Sequence, residues 1–242
     1  ADGLVVSHQD LDHAGGARSL LQAMPVGWFA SSLPADHAAV QLARQRTAPI
    51  RCVAGQTWTW DGVRFTMLHP SGADYDDAWA KTNDLSCVVR IDSAYGSALL
   101  PGDIEAKSEA ALLRTRRDLL RADVVVVPHH GSRTSSTFAF VRPGAPALAV
   151  IACGYRNRFG HPRPHVVARY TAVGARVVRT DLEGAIALTF AEGRRLAPEF
   201  ARAQRARYQP LHQRRGPSEG RLRADHQRRR NGARQRRRVR QA

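Results

Sequence analysis

"SHQDLDHAGG", residues 7–16, follows the apolar run "GLVV" at 3–6 and carries His8, Asp10, Asp12 and His13 on one short stretch. A strand ending at Ser7 with a turn behind it lets side chains at this spacing converge on one point. Imidazole and carboxylate are ligands for Zn, Mn and Fe, and two aspartates so close together are poorly suited to a core, where charged residues are rarely buried unpaired. The stretch therefore reads as part of a metal site at a strand end. The plainer alternative is a polar loop in which Asp12 caps a helix starting near Gly15.

Outward from this loop, alternating or continuous apolar runs predict short strands at 3–7, 26–30, 50–53, 57–60, 63–68, 85–92, 96–101, 122–127, 146–152, 175–180 and 184–190. Between them, Ala, Leu and Arg recur at helical spacing over 16–23, 34–45, 105–120, 135–141 and 163–173, with Gly or Pro marking the ends. The class is α/β or α+β.

Further polar residues sit at predicted strand tips. In "LLPGDIE", 99–105, Asp103 follows an apolar strand with Gly102 beside it, which leaves backbone room for a close approach; its plain reading is a helix N-cap. In "VVVPHHGSRTSS", 125–136, His129 and His130 end a strongly apolar strand, where histidine can ligate metal, donate to a phosphoryl oxygen or protonate a leaving group. Ser132 and the backbone around Gly131 could hold an anion. One of the two histidines could instead serve only to orient the other. Arg156, Asn157 and Arg158, beside "GHP", could hold phosphate, although solvated loop arginines are common.

The opening loop resembles the HxHxDH signature of the metallo-β-lactamase superfamily, with Asp10 where the second histidine usually stands. Taken with "LLPGDIE", "VVVPHHGSRTSS", "NRFGHP" at 157–162 and "RTDLEGAI" at 179–186, it is similar to the C-terminal domain of ComEC-type DNA-internalisation competence proteins. The resemblance implies a four-layer αββα sandwich over 1–201 with two divalent metal ions at one edge, and no organic cofactor. His8 and Asp10 would hold the first metal, Asp12 and His13 the second, with Asp103 bridging and His161 completing the second. The usual third histidine of the first metal has no clear match in "MLHPSGADYDDAWAKTNDLSCVV", 67–89; Asn83 is favoured near the site, and His69 is the other candidate. Oxygen in place of imidazole hardens the site, moving it from Zn²⁺ toward Mn²⁺ or Mg²⁺.

The implied activity is a metal-dependent phosphodiesterase acting on single-stranded DNA during uptake, with Asp12, Asp103, His129 and His130 in the chemistry and an upstream membrane channel domain as partner. A small-molecule lactonase or thioesterase, or an inactive nucleic-acid-binding module, are the alternatives. Superfamily members carry strands ahead of this loop, so the sequence is expected to be an N-terminally incomplete domain, soluble as supplied and associated with the inner or cytoplasmic membrane in an intact protein.

The net charge of +16 would suggest a nucleic-acid or anionic-surface partner, but it is unevenly placed. Residues 202–242 hold fifteen arginines against Glu219 and Asp225, about +13 of the total, and are expected to form a disordered tail. Cys52, Cys87 and Cys153 have no CxxC spacing and are expected to be buried free thiols, which allows a reducing compartment.

Overall fold

The computed structural model describes residues 1–193 and 196–201. The arginine-rich stretch from 202 onward, expected to be a tail, lies outside the described residues. Strand β1 (Gly3–Val6) runs through a one-turn helix α1 (Leu11–Ala14) into α2 (Ala17–Ala23), β2 (Trp28–Ser31), α3 (Ala38–Ala43), β3 (Ile50–Arg51), β4 (Thr57–Trp60) and β5 (Val63–His69). The chain continues through β6 (Val88–Ser93), β7 (Gly96–Leu100), α4 (Ala106–Thr115), β8 (Val124–Val126), α5 (Phe138–Gly144) and β9 (Leu148–Ile151). It closes with α6 (Pro164–Ala172), β10 (Arg176–Arg179), α7 (Thr180–Glu183) and the antiparallel pair β11 (Ile186–Ala187) and β12 (Glu199–Phe200).

These elements build the αββα sandwich that the family resemblance implies. One sheet has the order β1-β2-β3, all parallel; the other has the order β10-β9-β8-β7-β6-β5-β4. In the larger sheet β4 to β7 are antiparallel neighbours, whereas β7 to β10 run parallel. Strands β8 and β9, "VVV" and "LAVI", are apolar throughout because a parallel strand here is covered on both faces.

Each layer contact has its own apolar cluster. Ala17 and Leu21 of α2 and Val40 of α3 pack on Val6 and Phe29, forming the outer face of the small sheet. Leu112 of α4 and Phe140 of α5 cover Val88, Leu99 and Val125, while Val166 and Tyr170 of α6 cover Ala149 and Ile151. Between the sheets, Ala30, Cys52, Met67, Cys87 and Val89 meet, with Trp28 and Trp58 at their margin. Gly3 is fixed by this packing, since a Cβ there would lie 2.1 Å from the Trp28 ring.

Two expectations are corrected. Cys52 and Cys87 are joined in a disulfide whose Cα atoms lie 5.8 Å apart, and Cys153 is the free thiol. The pairing is set by topology, because the end of β3 and the start of β6 face each other across the two sheets. Disulfides of this kind persist in oxidising compartments, which removes the argument for a reducing one. The opening loop, expected to be a turn, instead winds into α1 just after Asp10, whose side chain makes no cap hydrogen bond. Among the described residues no helix is long and apolar enough to cross a membrane.

Candidate metal centre

Parallel strands deliver their C-terminal ends to one edge of a sheet, the usual place for a site in such folds. Here β7 ends before Asp103, β8 before His129 and His130, and β9 before the loop that leads to His161. Strand β1 delivers His8, Asp10, Asp12 and His13 to the same place, so loops far apart in sequence meet over one carboxylate.

Asp103 is 4% exposed and receives the histidines around it. His13 Nε2 lies 3.2 Å from its Oδ1, and His130 Nε2 and His129 Nε2 lie 3.4 and 3.9 Å from its Oδ2. His8, His13 and Asp103 form one group with mutually close donor atoms, and Asp12, His13 and His130 form another. His130 Nε2 also lies 3.1 Å from Asp12 Oδ2 and 3.3 Å from His13 Nε2. Asp10 stands at the margin, its Oδ2 3.7 Å from His8 Nε2 and its Oδ1 accepting from the Thr82 hydroxyl at 3.1 Å.

The imidazoles share one orientation: Nδ1 is engaged outward and Nε2 faces the cluster. Ser7 Oγ lies 3.1 Å from Nδ1 of both His8 and His13, and Ser86 Oγ adds a 3.3 Å contact to His8. His130 Nδ1 lies 2.6 Å from the Ala152 carbonyl, which fixes the proton on that nitrogen. His129 Nδ1 lies 3.3 Å from the Thr134 hydroxyl and 3.6 Å from Glu105. Outer partners of this sort are what hold metal-binding histidines in the ligating tautomer. His8 Nε2 is fully buried with no hydrogen-bond partner among the described residues. A buried nitrogen in that condition costs free energy unless something else satisfies it. The donor set and this orphaned atom fit a divalent cation.

Backbone conformation does as much as residue choice. His129 and His130 both adopt left-handed φ values, 51° and 54°, and are followed by Gly131 at 80°. Non-glycine residues in this region cost of order 1–3 kcal/mol each when held there, and such residues collect at functional sites. Here the run turns two adjacent histidines onto one carboxylate. Beneath them, Glu109 of α4 is buried and accepts the backbone N–H groups of Ser136 and Thr137, which fastens the far end of the same loop.

Charge within the cluster follows from these contacts. Burial pushes the Asp103 carboxyl up, but hydrogen bonds from His13 and His130 outweigh it and hold the group well below the usual carboxylate range. The bond to Asp103 raises His130 to about 9 against the effect of its burial. Burial, with the neighbouring His13, lowers His8. Burial also lowers His161, helped by His129 and His130.

The remaining predicted residues divide. His161 stands next to His129, ring centroids 5.9 Å apart, with Nδ1 buried and without a hydrogen-bond partner among the described residues. It lines a cleft of about 330 Å³ together with Asp12, His130, Asn157 and Phe159. His69 is turned away, its Nδ1 3.2 Å from the Ser86 carbonyl and its Nε2 3.6 Å from Asp74. Asn83 begins a short 3₁₀ turn and accepts from Thr82, which in turn reaches Asp10. Ser132 is buried against Thr134. The Asn157 amide is committed to its own loop, donating to the Gly154 and His161 carbonyls and accepting from the His161 N–H.

Three contributors were not anticipated. Glu105 accepts from Lys81 at 2.9 Å and Thr134 at 3.0 Å and faces His129; at the start of α4 it looked like an ordinary helix-initiating acid. Ser7 and Ser86 were unremarkable by residue type. Gly102, with φ of 58°, is the signal that locates them, since a Cβ there would lie 2.9 Å from Ser86 Cβ and 3.2 Å from Ser7 Cβ.

Comparison with known proteins bears on this arrangement. A family model described as the metallo-beta-lactamase superfamily matches residues 2–155. The chain is 35% identical over 193 residues to competence protein ComA of Neisseria gonorrhoeae, covering 79% of this chain and 26% of that one. It is 34% identical over 197 residues to the uncharacterized protein YcaI of Escherichia coli, covering 81% and 24%. Recombination protein 2 of Haemophilus influenzae matches at 33% over 191 residues, covering 79% and 22%. The chain thus spans about a quarter of the length of these curated relatives.

Proposed function

Because this chain belongs to the metallo-beta-lactamase superfamily, whose fold implies bound divalent metal ions, we propose that it is a metal-dependent phosphodiesterase that cuts single-stranded DNA during competence uptake. The observation that carries the metal-site reading is the convergence of three imidazole Nε2 atoms on Asp103, beside a buried His8 Nε2 that has no hydrogen-bond partner among the described residues. His8, His13 and Asp103 would hold one cation, with Asp10 beside His8. Asp12, His130 and Asp103 would hold a second, with His161 flanking and the single free lone pair of His13 Nε2 available to one of the two cations. The mixed imidazole and carboxylate donor set suits Mn²⁺ or Zn²⁺, with Mg²⁺ as a weaker competitor. When bound, the cations supply positive charge at the scissile phosphorus and lower the pKa of a water molecule toward neutrality.

The chain's own groups account for the rest. Asp103 is ionised and positioned between both ligand groups. His130 donates Nδ1–H to Ala152 and keeps Nε2 for a ligand, so its proton must leave as metal binds. His129 has Glu105 and Thr134 behind Nδ1 like the others, but its Nε2 lies 3.9 Å from Asp103 and belongs to neither group of close donor atoms. It is therefore the group suited to protonate a departing alkoxide, and Glu105 is its positioning residue. Arg156 and Arg158 stand on the adjoining loop with charge available for backbone phosphates. The role in competence draws support from the competence protein among the relatives, and the DNA substrate and membrane channel partner follow from the sequence resemblance.

The test is cleavage of labelled single-stranded DNA by the folded chain in Mn²⁺, Zn²⁺, Mg²⁺ or chelator, beside Asp103→Asn. Metal-dependent cutting that disappears in chelator and in the variant is expected. No cutting with any metal, by protein whose circular dichroism shows it folded, would overturn the assignment.

A further inference from the structure

The loop between β9 and α6 holds two large rings in solvent. Tyr155 is 63% exposed and Phe159 57% exposed. Neither ring belongs to a core cluster among the described residues. Both are paired with cations, the Arg156 guanidinium lying 5.2 Å from the Tyr155 ring centroid and that of Arg158 lying 4.9 Å from the Phe159 centroid. Phe159 is also stacked on His161 at 5.9 Å, with the planes 16° apart, and it lines the same cleft as Asp12 and His130.

The loop is not slack. Asn157 ties Gly154 to His161 through its amide, and backbone bonds from Asn157 N–H to Gly154 and from Gly160 N–H to Asn157 close two turns. Gly160, with φ of 66°, makes the second turn feasible. The Phe159 ring is thus presented at the mouth of the metal centre on a backbone already ordered, so a flat partner would meet little ordering cost.

We propose that Phe159 is a base-stacking platform that holds a nucleotide of a single-stranded nucleic acid beside the cluster, the base taking the place of the Arg158 guanidinium over the ring, with Arg156 and the displaced Arg158 on the flanking phosphates. A flat π face combined with guanidinium groups matches single strands, whose bases are unstacked and whose backbone is anionic. A duplex keeps its bases internal and offers the ring nothing to stack on. The platform rests on the phosphodiesterase reading of the adjoining site, and it names the side chain that would give that site its preference for unpaired strands.

The test is fluorescence anisotropy of the full chain in chelator, so that nothing is cut, with labelled oligothymidylate and with an abasic oligonucleotide of the same length and charge. Phe159→Ala should weaken binding to oligothymidylate about five-fold or more, and binding to the abasic strand by less than about two-fold, while Phe159→Trp restores the preference. Residues 202–242 act equally on both probes and drop out of the comparison. Equal losses on the two probes, or none, would overturn the platform, as would Phe159-dependent binding to anionic phospholipid vesicles without any base dependence. Base-dependent binding by a chain that cuts no DNA in any metal would overturn the phosphodiesterase reading and support the platform.

Discussion

The loops after β1 and after β8 both deliver histidines to Asp103, but they are held in opposite ways. The first is fixed by side chains: Ser7 and Ser86 take the Nδ1 atoms of His8 and His13, and Cys87, next to Ser86, is tied to Cys52. The second is fixed by backbone, through left-handed His129, His130 and Gly131, with a carbonyl behind His130. The difference teaches that residue types reveal where ligands could be, while backbone placement decides which of two adjacent histidines comes close: His130 Nε2 lies 3.1 Å from Asp12 and 3.4 Å from Asp103, and His129 Nε2 3.9 Å from Asp103.

The sharpest break of this comparison is between His130→Ala and His129→Ala. If the backbone run assigns them separate roles, His130→Ala should lose metal affinity by well over 100-fold, beyond the 10–100-fold typical of an outer partner. His129→Ala should keep its metal and lower the rate of DNA cleavage by about 10²-fold or more. Titration calorimetry with Mn²⁺ beside single-turnover cleavage separates the two. Equal metal loss in both would show that the difference in Nε2 placement does not assign them separate roles.

A second effect belongs to the first loop. Cys52→Ser with Cys87→Ser, or a reductant, should cost about 2–4 kcal/mol of stability, on the order of 10 °C in Tm. Because Cys87 abuts Ser86, metal affinity at His8 should weaken as well. Calorimetric melting with and without reductant, each repeated in Mn²⁺, reads both effects. A Tm indifferent to reductant would remove the staple from the comparison.

Legibility in the sequence follows the same division. The strands and the longer helices were readable because their apolar spacing matches the faces they bury, as in "VVV" and "LAVI". The grouping of His8, Asp12, His13 and Asp103, with Asp10 at its margin, was readable because polar side chains directly after apolar strands have few structural uses. The separate placement of His129 and His130 was not readable, since nothing in "PHHGS" declares two consecutive left-handed residues. Cys52 and Cys87, separated by 35 positions, become neighbours only when the two sheets stack. Glu105 was hidden by resembling a helix-starting acid, and Ser86 by being an ordinary serine.

On the backbone-held side, Gly131→Ala should be more disruptive than an alanine in an open loop. Its φ is 80°, and the added Cβ would lie 2.6 Å from Pro162 Cβ and 3.1 Å from Pro162 Cα. The expected cost is about 1–3 kcal/mol, measured by urea denaturation, with a smaller effect on His8 than on His130. An unchanged midpoint would mean that the loop can relax and that its conformation is not what holds the histidines.

The smallest expected effect is also the finest probe. Ser86 Oγ lies 3.3 Å from His8 Nδ1 and accepts from the Asp103 N–H at 3.1 Å, so one hydroxyl orients a ligand on each of two strands. Ser86→Ala leaves fold and ligands in place but frees both orientations. Outer partners of metal ligands are worth about 10–100-fold in affinity, and this serine shares its load with Ser7, so a loss near the lower end is expected. Ser7→Ala alone should behave alike through His8 and His13. The double variant should lose more than the product of the two, because each serine covers for the other at His8. Mn²⁺ affinities of the three variants close the cycle. Strict additivity would mean that the hydroxyls act independently, and that the side-chain-held loop is no more cooperative than the backbone-held one.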